Sequence, residues 1–481
     1  MAVKEIHHVK VVKSGSLLVV PNHMSYRQAA KLCMQMHEQD EEIVSVRDEQ
    51  ETFIWEGALA LRKAMDRTFG VTLTQEKMTM MGPIKPAEVV VRTGPGVDDT
   101  VTVPWGQMIW PLTEAGIGQQ SEEYLETSYS EKNGRMIFCL TGQIKRKWKD
   151  KFMELTKLMR AIIEQESIYR AKAVRISFTD SKGATLPMPV PEFMDLSKAD
   201  LKSIVYSKAT EDIIDTYIMT PLRASQKCRD AGIPLKRGVL AAGPYGTGKT
   251  LLAQAVGRIG NENGWTFLYI KNATELPVAI RFAQQYEPCV IFAEDLDRAV
   301  EGQERTEKVD MILNTLDGID TKGHEIMTIL TTNHLEKVNR AMLRPGRLDV
   351  LVNVLPPDAE AVSRLVRIYG RGLIADNADL TKVGDILAGT TPAIIREAVE
   401  RSKLATIRRT GDPRAVVLVD DLLISAQVTK DQQEALKDHQ MVPVHPAEGF
   451  MSSVAQRAAQ SVVNKFEDEG LVVVKKKPVG A

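Results

Sequence analysis

One short segment constrains the fold of this chain most. Residues 243–250 read Gly-Pro-Tyr-Gly-Thr-Gly-Lys-Thr and fit the pattern G-x-x-x-x-G-K-[ST] of phosphate-binding loops. An apolar run at 238–242 precedes this loop, and apolar residues at helical spacing follow it at 251–259. The order strand, glycine loop, helix predicts an α/β domain with a parallel sheet and a phosphate site at its edge. We expect Gly260 to end the helix.

The residue types in this loop suit a nucleotide bound together with Mg²⁺. Glycines allow backbone N–H groups to turn toward phosphates, and the start of the next helix adds its positive dipole end. Lys249 would reach the outer phosphates, and the Thr250 hydroxyl would ligate Mg²⁺. The predicted nucleotide-binding residues of the loop are Gly243, Pro244, Tyr245, Gly246, Thr247, Gly248, Lys249, Thr250 and Leu251.

A second apolar run ends in carboxylates. Residues 289–293 read Cys-Val-Ile-Phe-Ala and lead into Glu294 and Asp295. Buried parallel strands are continuous apolar runs, and ligands of open α/β sheets bind at the carboxyl ends of such strands. One of these two acids would hold the metal, and the other would orient the attacking water.

The composition is that of an ordinary globular protein with several domains. The chain has 481 residues, 43% of them hydrophobic and 26% charged, and a formal net charge of -1. This balance gives no reason to expect a nucleic-acid or membrane surface. The four cysteines are far apart in the sequence, which favours a reducing compartment. We therefore expect a cytoplasmic protein without a membrane span.

Residues 221–349 resemble the AAA family of ATPases, within the broader AAA+ group. The resemblance rests on the lead-in Gly-Ile-Pro-Leu-Lys-Arg-Gly-Val-Leu at 232–240, Leu-Asp-Gly at 316–318, Thr-Thr-Asn at 331–333 and Ala-Met-Leu-Arg-Pro-Gly-Arg-Leu-Asp at 341–349. It extends over a little under half of the chain. It implies a P-loop NTPase sheet followed by a helical lid, with ATP and Mg²⁺ as cofactors.

The resemblance also implies roles for individual residues. Asn333 would hydrogen-bond the attacking water or the γ-phosphate. Arg344 and Arg347 would be fingers that reach the nucleotide of a neighbouring subunit, where an arginine stabilises transition-state charge. The chain would therefore form a homo-oligomeric ring, most simply a hexamer. Adenine would lie near Ile204 and Val205, although the family has Gly-Gly just after this point and this chain has Val205-Tyr206.

Two departures from the family pattern affect the expected function. The family order of acids is Asp on the metal side and then Glu on the water side, whereas this chain has Glu294 then Asp295. The resemblance therefore implies that Glu294 holds the metal and that Asp295 orients the attacking water. Because a shift of about 1 Å can cost on the order of 10²-fold in rate, the site either hydrolyses ATP with an adjusted geometry or binds ATP and barely turns over. The interval 271–277 also lacks the aromatic-apolar-glycine loop that family members project into the ring pore. A ring that moves or separates folded partners therefore fits better than one that threads a chain.

The domain boundaries follow from these motifs. We predict a separate N-terminal α+β domain at 1–190 that binds a protein partner, a large α/β ATPase subdomain at 196–355, a helical lid at 356–428 and a C-terminal extension at 429–481 with a helix at 452–466. Pro187, Pro189 and Pro191 would form a stiff connector.

The leading hypothesis is a ring-forming ATPase that remodels, disassembles or moves a protein partner. An ATP-controlled scaffold with slow or no hydrolysis is the first alternative. A nucleic-acid-associated motor is the second, because the run 145–149 reads Lys-Arg-Lys-Trp-Lys. We favour a solvated helix start for that run, and so no nucleic-acid partner. Met78, Met80 and Met81 could line an adaptable binding surface or could be buried.

Overall fold

The structure is a computed structural model of the chain. It describes residues 2–6, 9–14, 17–19, 24–114, 120–132, 135–180, 184, 186, 189–197, 201, 204–297, 312, 316, 323–338, 340–344, 346–348 and 350–440. These residues form two compact units that divide near residue 355, and residues 205–207 belong to the second unit. The predicted helix at 452–466 and most of the Leu-Asp-Gly motif lie outside the described residues.

The N-terminal part of the first unit is a mixture of antiparallel sheets and helices. Its strands are β1 (Ala2–Ile6), β2 (Val9–Ser14), β3 (Leu17–Val19), β4 (Ile43–Gln50), β5 (Lys77–Thr79), β6 (Gly82–Ile84), β7 (Ala87–Arg92), β8 (Thr100–Trp105), β9 (Gln107–Ile109), β10 (Tyr124–Lys132) and β11 (Arg135–Lys145). Its helices are α1 (Tyr26–Glu41), α2 (Ile54–Phe69) and α3 (Lys149–Gln165). The largest of its sheets has four strands in the order β4-β11-β10-β9.

Local sequence signals account for the ends of these helices. At the start of α1 the Ser25 hydroxyl accepts from the Gln28 N–H, and the Gln28 side chain accepts from the Ser25 N–H at 2.9 Å. This is a capping box, which satisfies two backbone donors that the start of the helix leaves unpaired. Helix α2 ends at Gly70, whose φ of 74° lies in the left-handed region that favours glycine.

The ATPase part of the first unit is built on a seven-stranded sheet in the order β13-β12-β15-β16-β17-β14-β18. All neighbouring pairs are parallel except β12 and β13. The strands are β12 (Ala173–Arg175), β13 (Glu192–Phe193), β14 (Arg237–Ala242), β15 (Thr266–Ile270), β16 (Cys289–Ala293), β17 (Ile326–Thr332) and β18 (Val350–Asn353). The helices are α4 (Lys208–Ile214), α5 (Thr220–Arg223), α6 (Ser225–Asp230), α7 (Lys249–Glu262) and α8 (Leu276–Ala283).

The mixed α/β architecture with a parallel sheet confirms the predicted fold class. Strands β15, β16 and β17 are buried along their whole length, which is why their sequences are continuous apolar runs. Gly260 does not end the helix after the loop, because α7 continues to Glu262. Gly260 lies against Trp265 inside the protein, so packing extends the helix past the glycine.

The N-terminal sheet and the ATPase sheet share one hydrophobic core. Phe53 of the N-terminal part packs edge-on against Phe282 of α8 with ring centroids 5.1 Å apart. The Phe53 N–H also donates to the hydroxyl of Tyr286 at 3.1 Å. Of the predicted proline connector, Pro187 lies outside the described residues. Pro189 and Pro191 are buried, and the Pro189 carbonyl accepts from the Trp55 indole N–H at 3.3 Å.

The ATPase sheet starts before residue 190, which is the predicted end of the N-terminal domain. Strand β12 pairs with β15 in parallel and already belongs to the seven-stranded sheet. Only three residues long, β12 has too short an apolar pattern to be recognised by sequence alone.

The second unit is helical. It consists of α9 (Ala359–Gly370), α10 (Thr381–Leu387), α11 (Pro392–Thr410) and α12 (Val419–Gln440). Asp358 caps α9 by accepting from the Ala361 N–H at 2.8 Å. Its core includes Val362, Leu365, Ile395 and Val399. Helix α12 crosses the predicted boundary at 428 without a break. No helix in the described part of the chain is long and apolar enough to span a membrane.

Candidate active site

The glycine loop lies between β14 and α7, as the sequence predicts. Gly246 and Gly248 have φ angles of 77° and 104°, a region that side-chain-bearing residues rarely adopt. A Cβ on Gly243 would lie 2.0 Å from the carbonyl oxygen of Val354. These glycines therefore allow a tight backbone cradle directly at the N-terminus of α7, where backbone N–H groups and the helix dipole attract anions.

Lys249 is folded back onto the loop. Its ammonium donates to the carbonyls of Gly243 at 2.7 Å and of Pro244 at 2.8 Å. Burial lowers the pKa of the Lys249 amine, and the carboxylates of Asp295, Asp297 and Glu294 act in the opposite direction. The ammonium thus donates to loop carbonyls with the N–H groups that could donate to phosphate oxygens. These contacts keep its positive charge beside the cradle.

Thr250 and Glu294 lie together at the mouth of the cradle. The Thr250 hydroxyl donates to Oε1 of Glu294 at 2.8 Å. Mg²⁺ prefers oxygen ligands and keeps several waters, so a hydroxyl and one carboxylate beside phosphate oxygens are a suitable donor set. Among the described residues no group of three or more His, Cys, Asp or Glu side chains could hold a metal by itself. The residues present therefore fit a metal shared with phosphate, and do not fit an all-protein metal cage.

Asp295 adopts a left-handed backbone with φ of 53°. Asp is among the residues that tolerate this region best, because its short polar side chain can bond locally. Its N–H donates to the Thr331 hydroxyl at 3.2 Å, and its carboxylate accepts from the Asn333 side-chain amide at 3.3 Å. The end of β17 thus holds Asp295 in place, a constraint that sequence motifs do not reveal.

Asp297 is a further member of this network to which the sequence analysis assigned no role. Its carboxylate accepts from the Thr332 hydroxyl at 3.0 Å and from the Asn333 N–H at 3.1 Å. Burial on its own would raise the pKa of Asp297, but these hydrogen bonds outweigh it and the pKa is lowered. Asp297 therefore anchors the turn that presents Asn333.

The two predicted finger arginines are not at this cradle. Arg344 is exposed, and Arg347 is half-buried. The carbonyl oxygen of Arg347 lies 1.5 Å from the position of a Cβ on Gly238, near the start of β14. The cradle follows the other end of the same strand.

The predicted adenine contacts fall in different units. Ile204 belongs to the first unit and Val205 to the second, where Val205 packs against the helical core. Tyr206 is buried, and its carbonyl accepts from Arg364 at 2.5 Å. The adenine assignment remains a prediction.

The turn between β15 and α8 is short and tied down. It consists of one 3₁₀ turn, Ala273–Glu275. The buried Glu275 accepts from the N–H groups of Phe178 at 3.2 Å and Thr179 at 2.9 Å. This turn therefore does not project from the sheet as a free loop.

The structure also bears on the basic run at 145–149 and on the three methionines. In the basic run at 145–149, Lys145 and Lys147 both pair with Glu41 and Glu114. Their charges are therefore matched within the protein. Met78, Met80 and Met81 are exposed on the β5–β6 hairpin, so the alternative of buried packing is wrong for them.

Comparison with known proteins agrees with this geometry. Residues 239–355 match the model of the family described as "ATPase family associated with various cellular activities (AAA)". The cell division cycle protein 48 homolog of Archaeoglobus fulgidus is 26% identical over 328 residues, which cover 63% of this chain and 42% of that protein. The proteasome-activating nucleotidase of Methanocella arvoryzae is 28% identical over 262 residues, covering 50% of this chain and 60% of that protein.

A third relative is the ATP-dependent zinc metalloprotease FtsH of Mycobacterium leprae. It is 31% identical over 255 residues, which cover 48% of this chain and 30% of that protein. The chain thus spans between 30% and 60% of the length of these three relatives. The family model itself matches only residues 239–355, which lie in the ATPase part of the first unit.

Proposed function

Because the chain belongs to the AAA family of ATPases, we propose that it binds ATP with Mg²⁺ and hydrolyses the ATP to remodel, disassemble or move a protein partner. The observation that carries the proposal is the convergence at one sheet edge. Lys249, Thr250, Glu294, Asp295 and Asn333 come from three separate stretches of sequence and meet where β14, β16 and β17 end. Polar side chains that meet at the carboxyl edge of a parallel sheet are typical of a ligand site.

Each of these residues has a role in the proposed reaction. The loop N–H groups and Lys249 would hold the phosphates, and Thr250 with Glu294 would hold Mg²⁺, which supplies charge neutralisation when bound. Asp295 would orient the attacking water and draw its proton, while Asn333 keeps that carboxylate aimed and donates to the water or the γ-phosphate. Asp297 would fix the turn of Asn333 through its two hydrogen bonds.

The proposal includes assembly. Arg344 and Arg347 lie away from the cradle of their own chain, so they would act on the nucleotide of a neighbouring copy in a homo-oligomeric ring, most simply a hexamer. The N-terminal residues would choose the protein partner, because the ATPase sheet itself carries no specificity. A cytoplasmic location is part of the same proposal.

One observation favours the alternative of an ATP-controlled scaffold. Asp295 is one methylene shorter than the glutamate that the family has here, and the strand β17 holds it through Thr331 and Asn333. A carboxylate that stops short of the attacking water would leave binding intact and slow hydrolysis strongly.

A steady-state ATPase assay on the full chain separates these functions. We expect wild-type turnover to exceed that of Asp295→Asn by about 10²-fold, since the amide keeps the left-handed backbone but cannot act as a base. Affinity for a fluorescent ATP analogue should stay within about twofold, because Asp295 is not assigned to ground-state binding.

Sedimentation of both proteins with and without ATP completes the test. ATP-dependent association with turnover above the variant's supports the remodelling ATPase. Association with turnover no greater than that of Asp295→Asn would favour the scaffold. A chain that neither binds nucleotide nor associates would contradict both.

A further inference from the structure

A pocket of about 280 Å³ lies between the end of the β10–β11 hairpin and helix α8. Much of its wall is apolar and includes Phe53, Val278 and Phe282. Tyr129 and Glu131, both exposed, line it from β10. We call this cavity the β10 pocket. Small-molecule sites usually enclose about 300–1,000 Å³, so the β10 pocket is small for a cofactor and suits a side chain better.

Strand β10 has an unpaired edge beside the same pocket. Strand β9 pairs with β10 only at Tyr124–Glu126, and the Thr127 N–H donates to the Gly106 carbonyl at 3.0 Å. In an antiparallel sheet the backbone groups of alternate residues point to the same neighbour, so those of Tyr129 and Glu131 point to the side that β9 has left. Within the described residues no strand pairs with that side of β10 after Thr127. The two residues that offer these backbone groups also line the pocket.

The side chains of Tyr129 and Glu131 lie on the face of the sheet that borders the pocket. Their register partners on β11 are Phe138 and Met136, and Met136 lines the pocket as well. Residues directly opposite each other in an antiparallel pair share a face. A strand added along β10 would therefore place every second side chain at the pocket. Backbone pairing at a sheet edge, with pockets for alternate side chains, is a recurring mode of peptide recognition.

The charged groups around the pocket indicate which side chains an added strand would carry. Glu131 is exposed, and its carboxylate has no ion pair in the part of the chain that the structure describes. Arg281 is half-buried in the wall, three residues after Val278 on the same face of α8. The exposed carboxylate favours a lysine or arginine, and the apolar wall favours an apolar residue. Because both features lie on one face, these two residues would be two positions apart in the added strand.

We propose that the edge of β10 binds an extended segment of a protein partner as an added strand. An apolar side chain of the segment would fill the β10 pocket, and a basic side chain would lie beside Glu131. The inference rests on the proposed function, because it takes from it that the N-terminal residues choose a protein partner. It adds the surface and the chemistry of the recognised segment. The segment would contact α8 as well as β10, and so would touch both the N-terminal part and the ATPase part.

The first test is a selection of random peptides displayed on phage, with the full chain as the target and Val278→Glu for counter-selection. Val278 is 38% exposed, so a carboxylate there stays solvated in the free protein but opposes an apolar occupant. We expect the enriched peptides to carry an apolar residue with a lysine or arginine two positions away. Synthetic copies should bind Val278→Glu at least about tenfold more weakly, the usual size of burying one apolar side chain.

Two measurements control for the fold and for the site of the substitution. Val278→Glu should bind ADP with wild-type affinity, because Val278 is not part of the phosphate cradle. Val90→Glu is the matched substitution, since Val90 is 62% exposed on β7 and does not line the pocket. It should bind the selected peptides as wild type does.

A charge exchange tests the role of Glu131. The selected peptides should bind Glu131→Lys up to about fivefold more weakly, the size of an exposed ion pair. Copies that carry a glutamate in place of the basic residue should prefer Glu131→Lys to wild type. Glu122→Lys makes the same charge change at an exposed position just before β10, outside the pocket, and should alter neither preference.

Methylation of single peptide amides separates strand addition from the binding of a side chain alone. An added strand points its amides alternately toward β10 and away from it. Methylation should therefore weaken binding by about two- to tenfold at every second position, the usual size of one backbone hydrogen bond. At the positions between, affinity should stay within about twofold.

Three outcomes would overturn the inference. These are no peptide enriched over the counter-selection, selected peptides that bind Val278→Glu as tightly as wild type, and methylation effects without alternation. ATP hydrolysis together with any of these outcomes would remove this inference and leave the proposed activity. Peptide binding as expected in a chain that does not hydrolyse ATP would remove the hydrolytic function and leave the binding surface.

Discussion

The two ends of strand β14 carry different parts of the predicted site. The phosphate-binding residues follow its carboxyl end, and Arg347 lies near its amino end. After its carboxyl end, Lys249 donates to the glycine loop, and Thr250 meets Glu294 within hydrogen-bonding distance. Near its amino end the backbone of Arg347 packs on Gly238. The five-residue step from Gly238 to the loop corresponds to about 16 Å of strand, more than an arginine side chain can bridge. One chain therefore builds the phosphate side of the site, and the position of Arg347 supports the proposal that a second copy supplies the arginine.

The largest effect on hydrolysis is expected from Arg347→Ala, which removes the arginine near the amino end of β14. We expect hydrolysis to fall by about 10³-fold, as for arginine fingers in other nucleotide hydrolases, because transition-state charge loses its partner. Nucleotide affinity should stay within about twofold, since the cradle is untouched. The measurements are steady-state turnover and equilibrium binding of a fluorescent ATP analogue, with the exposed Arg340→Ala as the matched control.

Mixing variants tests whether the arginine acts between copies. Arg347→Ala subunits keep the cradle, and Lys249→Ala subunits keep the arginine. Mixtures of the two should recover part of the activity that neither has alone. Failure to recover activity at every ratio, in mixtures shown to co-assemble, would mean that the arginine does not act between copies.

The next effect in size is expected from Gly243→Ala. The added Cβ would lie 2.0 Å from the carbonyl oxygen of Val354, a backbone atom that cannot move away cheaply. We expect the cradle to shift and nucleotide affinity to fall by about 10²-fold, because a displacement of about 1 Å can cost that much in a positioned site. Isothermal titration with ADP measures this loss. Unchanged affinity would mean that the cradle tolerates a side chain at its first position.

The smallest effect should come from Gly238→Ala, the matched change at the amino end of the same strand. Its Cβ would overlap the Arg347 carbonyl at 1.5 Å and push the arginine segment away from the sheet. We expect hydrolysis to fall about tenfold and the free energy of unfolding to drop by about 1–3 kcal/mol, the usual cost of overpacking. ADP affinity should be retained. A loss of affinity as large as that of Gly243→Ala would remove the distinction between the two ends.

The parts of this protein that the sequence predicts are those with long, local signals. Strand β16 is five apolar residues followed by acids, and the loop after β14 has fixed glycine spacing, so both were predictable. What could not be predicted depends on how distant strands align. Nothing near Asp297 in the sequence refers to Asn333, and only the parallel register of β16 and β17 brings them together. The left-handed backbone of Asp295 is likewise set by Thr331 of a neighbouring strand.

The N-terminal part shows the same limit at a larger scale. Local signals such as the capping box at Ser25 are visible in the sequence. They do not predict which face of the N-terminal part packs on the ATPase sheet. Phe53 and Tyr286 are 233 residues apart, and the residues around each are typical of any hydrophobic core.

The aromatic contact between Phe53 and Phe282 has a mechanical consequence. A receptor module on a flexible tether would let its cargo diffuse while the motor turned over, and little force would pass between them. Here Phe53 and Phe282 are both buried and join the two layers, so a displacement of the ATPase sheet would move the N-terminal part with it. In the proposed function, packed side chains would therefore transmit movement to a bound partner.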